Sequence, residues 1–110
     1  MVGEVALKAI QAREERFVAH AKKIWEHPET AYNEVSTCAV TAELLRELGF
    51  VVETGMYGMP TALRASWGSG EPTIGFLGEF DALPGLSQKV STRQEPVQEG
   101  APGEGCGHNL

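Results

Sequence analysis

Glu43-Leu44-Leu45-Arg46-Glu47-Leu48-Gly49-Phe50-Val51-Val52-Glu53-Thr54 is where the chain changes its period. Before Gly49, apolar residues recur at helical spacing: Ala39, Ala42, Leu45 and Leu48, with Cys38 and Leu44 beside them. After it, Phe50–Thr54 is short, β-branched and extended in character. Gly49 stands where a helix commonly stops in a left-handed residue. One helix running into one strand across a glycine predicts an α/β fold.

Upstream, residues 4–26 predict one amphipathic helix. Leu7, Ile10, Phe17, Ala21, Ile24 and Trp25 share a stripe, and Glu15, Arg16, Lys22 and Lys23 form a solvated face. Pro28 ends it, because proline disfavours helical geometry at His27 and has no N–H to donate. A second helix is expected over residues 36–48, capped by Ser36 or Thr37. His20 has no metal-ligating neighbour at helical spacing, so it is not read as a ligand.

Downstream, Thr61–Trp67 alternates loosely, Gly68–Pro72 turns, and Thr73–Gly78 is apolar on both faces. The last two strands read as a hairpin, with Thr73–Gly78 the more central. The expected architecture is two N-terminal helices packed on a mixed sheet of at least three strands. Residues 85–104 hold proline, glycine and mixed charge without periodicity, and read as a flexible loop.

The balance of charge is −6, and the nine lysines and arginines form no basic stripe, which excludes a nucleic-acid partner. No apolar run approaches the roughly 18 residues of a membrane span, so no membrane role is expected. The two cysteines sit in different settings, Cys38 in an apolar helical pattern and Cys106 among glycines beside a histidine. Nothing resembles a secreted disulfide scaffold, so a reducing, cytoplasmic setting is expected.

Two groups of residues carry chemistry. Gly105-Cys106-Gly107-His108 sets a thiol and an imidazole two residues apart, and in an extended segment both would point to one side. Cysteine as thiolate and histidine as neutral imidazole bind Zn2+, but a closed site takes four ligands. By itself the pair is a weak signal, and an incidental thiol in a glycine-rich stretch is the stronger reading. Glu79 and Asp81 end an apolar strand, also two residues apart. Carboxylates at strand ends often face ligands, and Asp81 can fix the tautomer of a metal-ligating imidazole; the alternative is a solvated strand end.

Taken together, these segments resemble those of the aminoacylase-type metallopeptidases and amidohydrolases. Gly78-Glu79-Phe80-Asp81-Ala82-Leu83-Pro84-Gly85 is similar to the segment carrying that family's catalytic aspartate. Gly103-Glu104-Gly105-Cys106-Gly107-His108-Asn109 is similar to its Cys-Gly-His metal motif. Ile24–Glu29, Leu48-Gly49-Phe50 and Gly58-Met59-Pro60-Thr61 fit in the same order, and Leu83–Gln88 with Asn109 points to the p-aminobenzoyl-glutamate hydrolase branch.

The resemblance implies that residues 1–110 are the N-terminal part of a metallopeptidase catalytic domain. It implies metal ligation by Cys106 and His108, with Asp81 as the catalytic aspartate supporting the centre. The implied cofactor is Zn2+ or Mn2+, one ion or two in the complete enzyme. The implied reaction is metal-dependent hydrolysis of an amide bond in a small N-acyl or aroyl amino acid or peptide, with a glutamate as general base. Relatives form homodimers and usually carry His where this chain has Glu104. Their general base and remaining ligands lie further along the sequence. The chain alone is therefore expected to be catalytically incomplete, and the alternative role is a metal-binding or interaction module.

Overall fold

The computed structural model describes residues 1–110. Its elements are helices α1 (Val2–Gln11), α2 (Glu14–Glu26) and α3 (Val35–Glu47), then strands β1 (Val51–Thr54) and β2 (Leu63–Ser66). The fold is α/β, as the change of period at Gly49 predicts.

The expected helix over residues 4–26 is two helices. Arg13 leaves helical geometry (φ −123°, ψ 8°), and its Nη1 donates to the Ala9 carbonyl at 2.9 Å. That bond satisfies one of the carbonyls a helix end leaves free. No proline or glycine marks the break. Its consequence is visible in burial: α1 buries no residue, and Leu7 and Ile10 of the expected stripe stay exposed. Of that stripe only Ile24 is fully buried. α2 stops at Glu26, two residues before Pro28, as expected.

α3 ends as Gly49 predicts. Gly49 has φ 90°, its N–H donates to the Arg46 carbonyl, and the Phe50 N–H donates to the Leu45 carbonyl at 3.0 Å. This pair of bonds is a Schellman closure, which needs a residue free to adopt positive φ. The other end differs from expectation. Neither Ser36 nor Thr37 caps α3. The Glu29 carboxylate does so from the preceding loop, taking the Ser36 N–H at 3.0 Å and the Thr37 N–H and hydroxyl at 2.7 Å each. A charged acceptor on two free N–H groups also faces the positive end of the helix dipole. Burial acts to raise the Glu29 pKa, but these hydrogen bonds outweigh it and hold the carboxyl below its ordinary value.

α3 packs on α2 and on both strands. Ile24, Cys38, Ala42 and Ala82 form the buried apolar core. Burial raises the Cys38 thiol pKa, in keeping with its part as a small hydrophobe. His20 lies half-buried between the helices with a ring nitrogen 3.2 Å from Thr41 Oγ1; burial and then Lys23 lower its pKa.

The sheet corrects the expected hairpin. β2 pairs antiparallel with β1, Val51 opposite Ser66 and Thr54 opposite Leu63, and not with Thr73–Gly78. Glu53 and Arg64 face each other across this pair, with Nε 2.9 Å from Oε2. Under the loop, buried Thr61 donates its hydroxyl to Glu34 at 2.7 Å. Thr73–Gly78 has no ladder partner and lies open, with Ile74, Phe76 and Leu77 exposed. A strand apolar on both faces gains by burial only where something covers it, and no part of residues 1–110 does.

The chain returns to the helices at Ala82. Its N–H donates to the Glu29 carbonyl at 2.8 Å, and a single parallel bridge joins Thr30 to Ala82. Leu83 and Gly103 exchange two hydrogen bonds of 3.1 Å as an antiparallel bridge. Within residues 85–104, Ser87 N–H bonds Ala101, Lys89 N–H bonds Glu95, and the Gln88 amide reaches the Lys89 and Arg93 carbonyls. Gly103 sits so close to the opposing chain that a Cβ there would fall 2.4 Å from both the Leu86 carbonyl oxygen and Ser87 Cα.

Candidate metal centre

These two bridges converge on one point. The Thr30–Ala82 bridge holds Asp81 one residue away, and the Leu83–Gly103 bridge delivers Glu104 to Asn109 beside it. Two consecutive turns then replace the extended geometry expected for Cys106-Gly107-His108. Gly107 N–H donates to the Glu104 carbonyl at 2.8 Å, and Leu110 N–H to the Gly107 carbonyl at 3.1 Å. Gly107 takes φ 86°, which a side-chain-bearing residue adopts with strain.

His108 is held from both sides. Its Nδ1 lies 3.0 Å from the Asp81 carbonyl oxygen and 3.0 Å from Asp81 Oδ1. Its Nε2 lies 3.0 Å from Glu79 Oε2. The hydrogen bond to the Asp81 carbonyl raises the His108 pKa; desolvation opposes this, and the negative charges of Asp81 and Glu79 reinforce it. Donor atoms of Glu79, Asp81 and His108 all fall within 4.8 Å of one another. Of the sequence candidates Asp81, Cys106 and His108, two are in this group, and Glu79, the other carboxylate singled out in the sequence, joins them.

Cys106 stands just outside it. Its Sγ lies 3.9 Å from the Asp81 carbonyl and 3.7 Å from Glu104 Oε2, so thiol and imidazole meet at the Asp81 main chain. No disulfide joins Cys106 to Cys38. Glu104 is the least expected member, with only 2% of its surface exposed and Oε1 without a hydrogen-bond partner. Burial raises its pKa; the Cys106 bond and then His108 pull it down, and Asp81 pushes it up. Asn109 donates to the Ala21 carbonyl at 3.1 Å and ties the loop to α2. In sequence, Glu104 and Asn109 are polar residues in a glycine-rich stretch, where polarity ordinarily means exposure. The resemblance marked both, Glu104 as a departure from the usual His and Asn109 as a branch signal, but neither mark foretold burial.

The donor set suits a divalent cation. Glu79, Asp81 and His108 offer two carboxylates and an imidazole within 4.8 Å of one another; Cys106 and Glu104 form a second pair beside them, 3.7 Å apart, with Glu104 Oε1 lacking a partner. Nδ1–H donation to Asp81 would leave Nε2, which faces Glu79 Oε2 at 3.0 Å, as the nitrogen to coordinate a cation. Hydrogen positions on the ring follow from that assignment.

No protein-family profile matches the chain. Individual relatives do. The chain is 44% identical over 103 residues to a subunit of the p-aminobenzoyl-glutamate hydrolase of Escherichia coli (strain K12), covering 93% of this chain and 21% of that protein. It is 43% identical over 65 residues to thermostable carboxypeptidase 2 of Saccharolobus solfataricus, covering 57% of this chain and 16% of that protein. It is 31% identical to human Xaa-Arg dipeptidase over 117 residues, covering 94% of this chain and 23% of that protein. The chain thus spans about a fifth of the length of the relatives it matches.

Proposed function

We propose that the chain forms part of a metal-dependent hydrolase of amide bonds, of the aminoacylase-type peptidase and amidohydrolase family. The relatives are peptidases and amidohydrolases by name. The observation that supports metal dependence is the Glu79, Asp81 and His108 group, whose donor atoms all lie within 4.8 Å of one another.

Cys106 and His108 are the proposed ligands of Zn2+ or Mn2+. A bound ion of this kind supplies Lewis acidity toward the amide carbonyl and acidifies water. Asp81 accepts the Nδ1 proton of His108 and so keeps Nε2 available. Glu79 adds negative charge at Nε2, which favours a cation there. The proposed substrate class is an N-acyl or aroyl amino acid or a short peptide, and the activity is proposed for the whole protein. The Escherichia coli relative is named as one subunit of its enzyme, which supports assembly with further chains; a homodimer is the proposed form. No helix is long and apolar enough to cross a membrane. Two free thiols suit a reducing compartment, so the proposed location is the cytoplasm.

A second reading has its own observation. The uncovered Thr73–Gly78 segment, with Phe76 and Leu77 almost fully exposed, is what an interaction module would present.

Metal binding separates the two. Zn2+ bound per chain after dialysis is measured for the wild type and for the Cys106→Ser, His108→Ala double variant. Near-stoichiometric metal in the wild type and loss in the variant supports the hydrolase reading. Equal metal in both sinks the ligand assignment and leaves the interaction reading.

A further inference from the structure

We propose that Glu104 is itself a metal ligand, a carboxylate donor paired with Cys106; this rests on the metal centre proposed above. Three observations carry it. Glu104 is 2% exposed, yet Oε1 has no hydrogen-bond partner. A buried carboxylate oxygen left unsatisfied is destabilising unless something absent from the bare chain engages it. The only side chain bonded to Glu104 is Cys106, whose Sγ lies 3.7 Å from Oε2. With a metal–sulfur bond of ~2.3 Å and a metal–oxygen bond of ~2.1 Å, two donors of one tetrahedral ion stand about 3.6 Å apart. Sγ and Oε2 therefore have the spacing of two ligands to one cation, while Oε1 is the oxygen left without a partner.

The local backbone holds them there. The turn from Glu104 to Gly107 closes with a 2.8 Å hydrogen bond, and the Gly105 N–H bonds the Leu86 carbonyl at 3.3 Å. Glu104 follows directly on Gly103, whose close approach to Leu86 and Ser87 fixes where its side chain starts. Asp81 and His108 border the same space, His108 through the Asp81 carbonyl that Cys106 also approaches. Glu104 thus adds an oxygen donor beside the thiol. Oxygen donors suit Mn2+, whereas thiolate and imidazole favour Zn2+. Glu104 is expected to matter more for Mn2+ binding than for Zn2+.

The test titrates the purified chain with Zn2+, Mn2+ and Co2+ at fixed pH against a competing chromophoric chelator. Wild type, E104Q, E104L and the Cys106→Ser, His108→Ala double variant are compared. The expected result is an affinity loss of about tenfold or more in E104Q and E104L, larger for Mn2+ than for Zn2+. The visible Co2+ spectrum should shift as its ligand field changes, while the thiolate–Co2+ band persists. Metal-free unfolding midpoints should stay level or rise, because both variants remove an unsatisfied buried carboxylate. Unchanged affinity and spectrum in E104Q and E104L, with loss in the double variant, overturns the role of Glu104 and keeps the centre. Undiminished metal in the double variant overturns the centre itself. Weaker binding together with a lowered metal-free midpoint in both Glu104 variants also overturns the proposal, since a structural role then accounts for the loss.

Discussion

Glu29 is a single residue on which two parts of the fold depend, one through its side chain and one through its backbone. Its carboxylate takes three hydrogen bonds from Ser36 and Thr37, and its carbonyl takes the Ala82 N–H that starts the segment beside Asp81. Replacing it by alanine removes a helix cap worth about 1 kcal/mol. A favourable charge at the helix N-terminus contributes roughly 0.5 kcal/mol more. The hydroxyl of Thr37, a residue 2% exposed, loses its acceptor, at about 1 kcal/mol. Glu29→Ala is therefore expected to destabilise the chain by about 2–3 kcal/mol, and Glu29→Gln by about half of that. At roughly 4–5 °C per kcal/mol for a chain of this size, Glu29→Ala lowers the midpoint by about 10 °C.

Thermal unfolding followed by circular dichroism reads the midpoint, and amide exchange at Ser36 and Thr37 reads the cap directly. The pH dependence has a definite sign. The folded pKa of Glu29 lies below its ordinary value of 4.5. Its contribution is thus fully present above that value and is lost as pH falls through the lower folded pKa. The gap between wild type and Glu29→Gln should be constant near neutrality and close on acidification below about pH 4. A Glu29→Ala midpoint within about 2 °C of wild type at neutral pH would refute the capping argument.

Other substitutions test separate contacts. Gly103→Ala places a Cβ 2.4 Å from backbone atoms of Leu86 and Ser87, which no rotamer can relieve; a loss of about 2 kcal/mol or more is expected by denaturant unfolding. Gly105→Ala, whose Cβ would meet the Leu86 carbonyl at 3.0 Å, should lose less. Thr61→Val strips buried Glu34 of its 2.7 Å hydrogen bond and should cost about 1.5–3 kcal/mol, with the same midpoint assay as the check. Arg64→Ala breaks a solvent-exposed ion pair with Glu53 and should leave the unfolding midpoint nearly unchanged, because water screens such pairs.

Local rules in the sequence determined a good deal of this protein. The change of period across Gly49, the stop at Pro28 and the apolar side of α3 are decided within a few residues, by sterics and backbone hydrogen bonds. The thiol and imidazole at Cys106 and His108, and the carboxylates at Glu79 and Asp81, were legible as metal-type donors because their chemistry belongs to the residue. What meets what was not legible. Strand pairing is a choice between partners distant in sequence, and β2 chose β1, with Glu53 opposite Arg64, over the adjacent Thr73–Gly78. The cap on α3 comes from Glu29, outside the helix, and the helix break at Arg13 has no breaker residue. Most of all, a glutamate in a glycine-rich stretch reads as solvated. Only the Leu83–Gly103 bridge and the turn after it bury Glu104 against Cys106 with an oxygen left unpaired. Burial and pairing depend on contacts far apart along the chain, so the tertiary structure alone decided them.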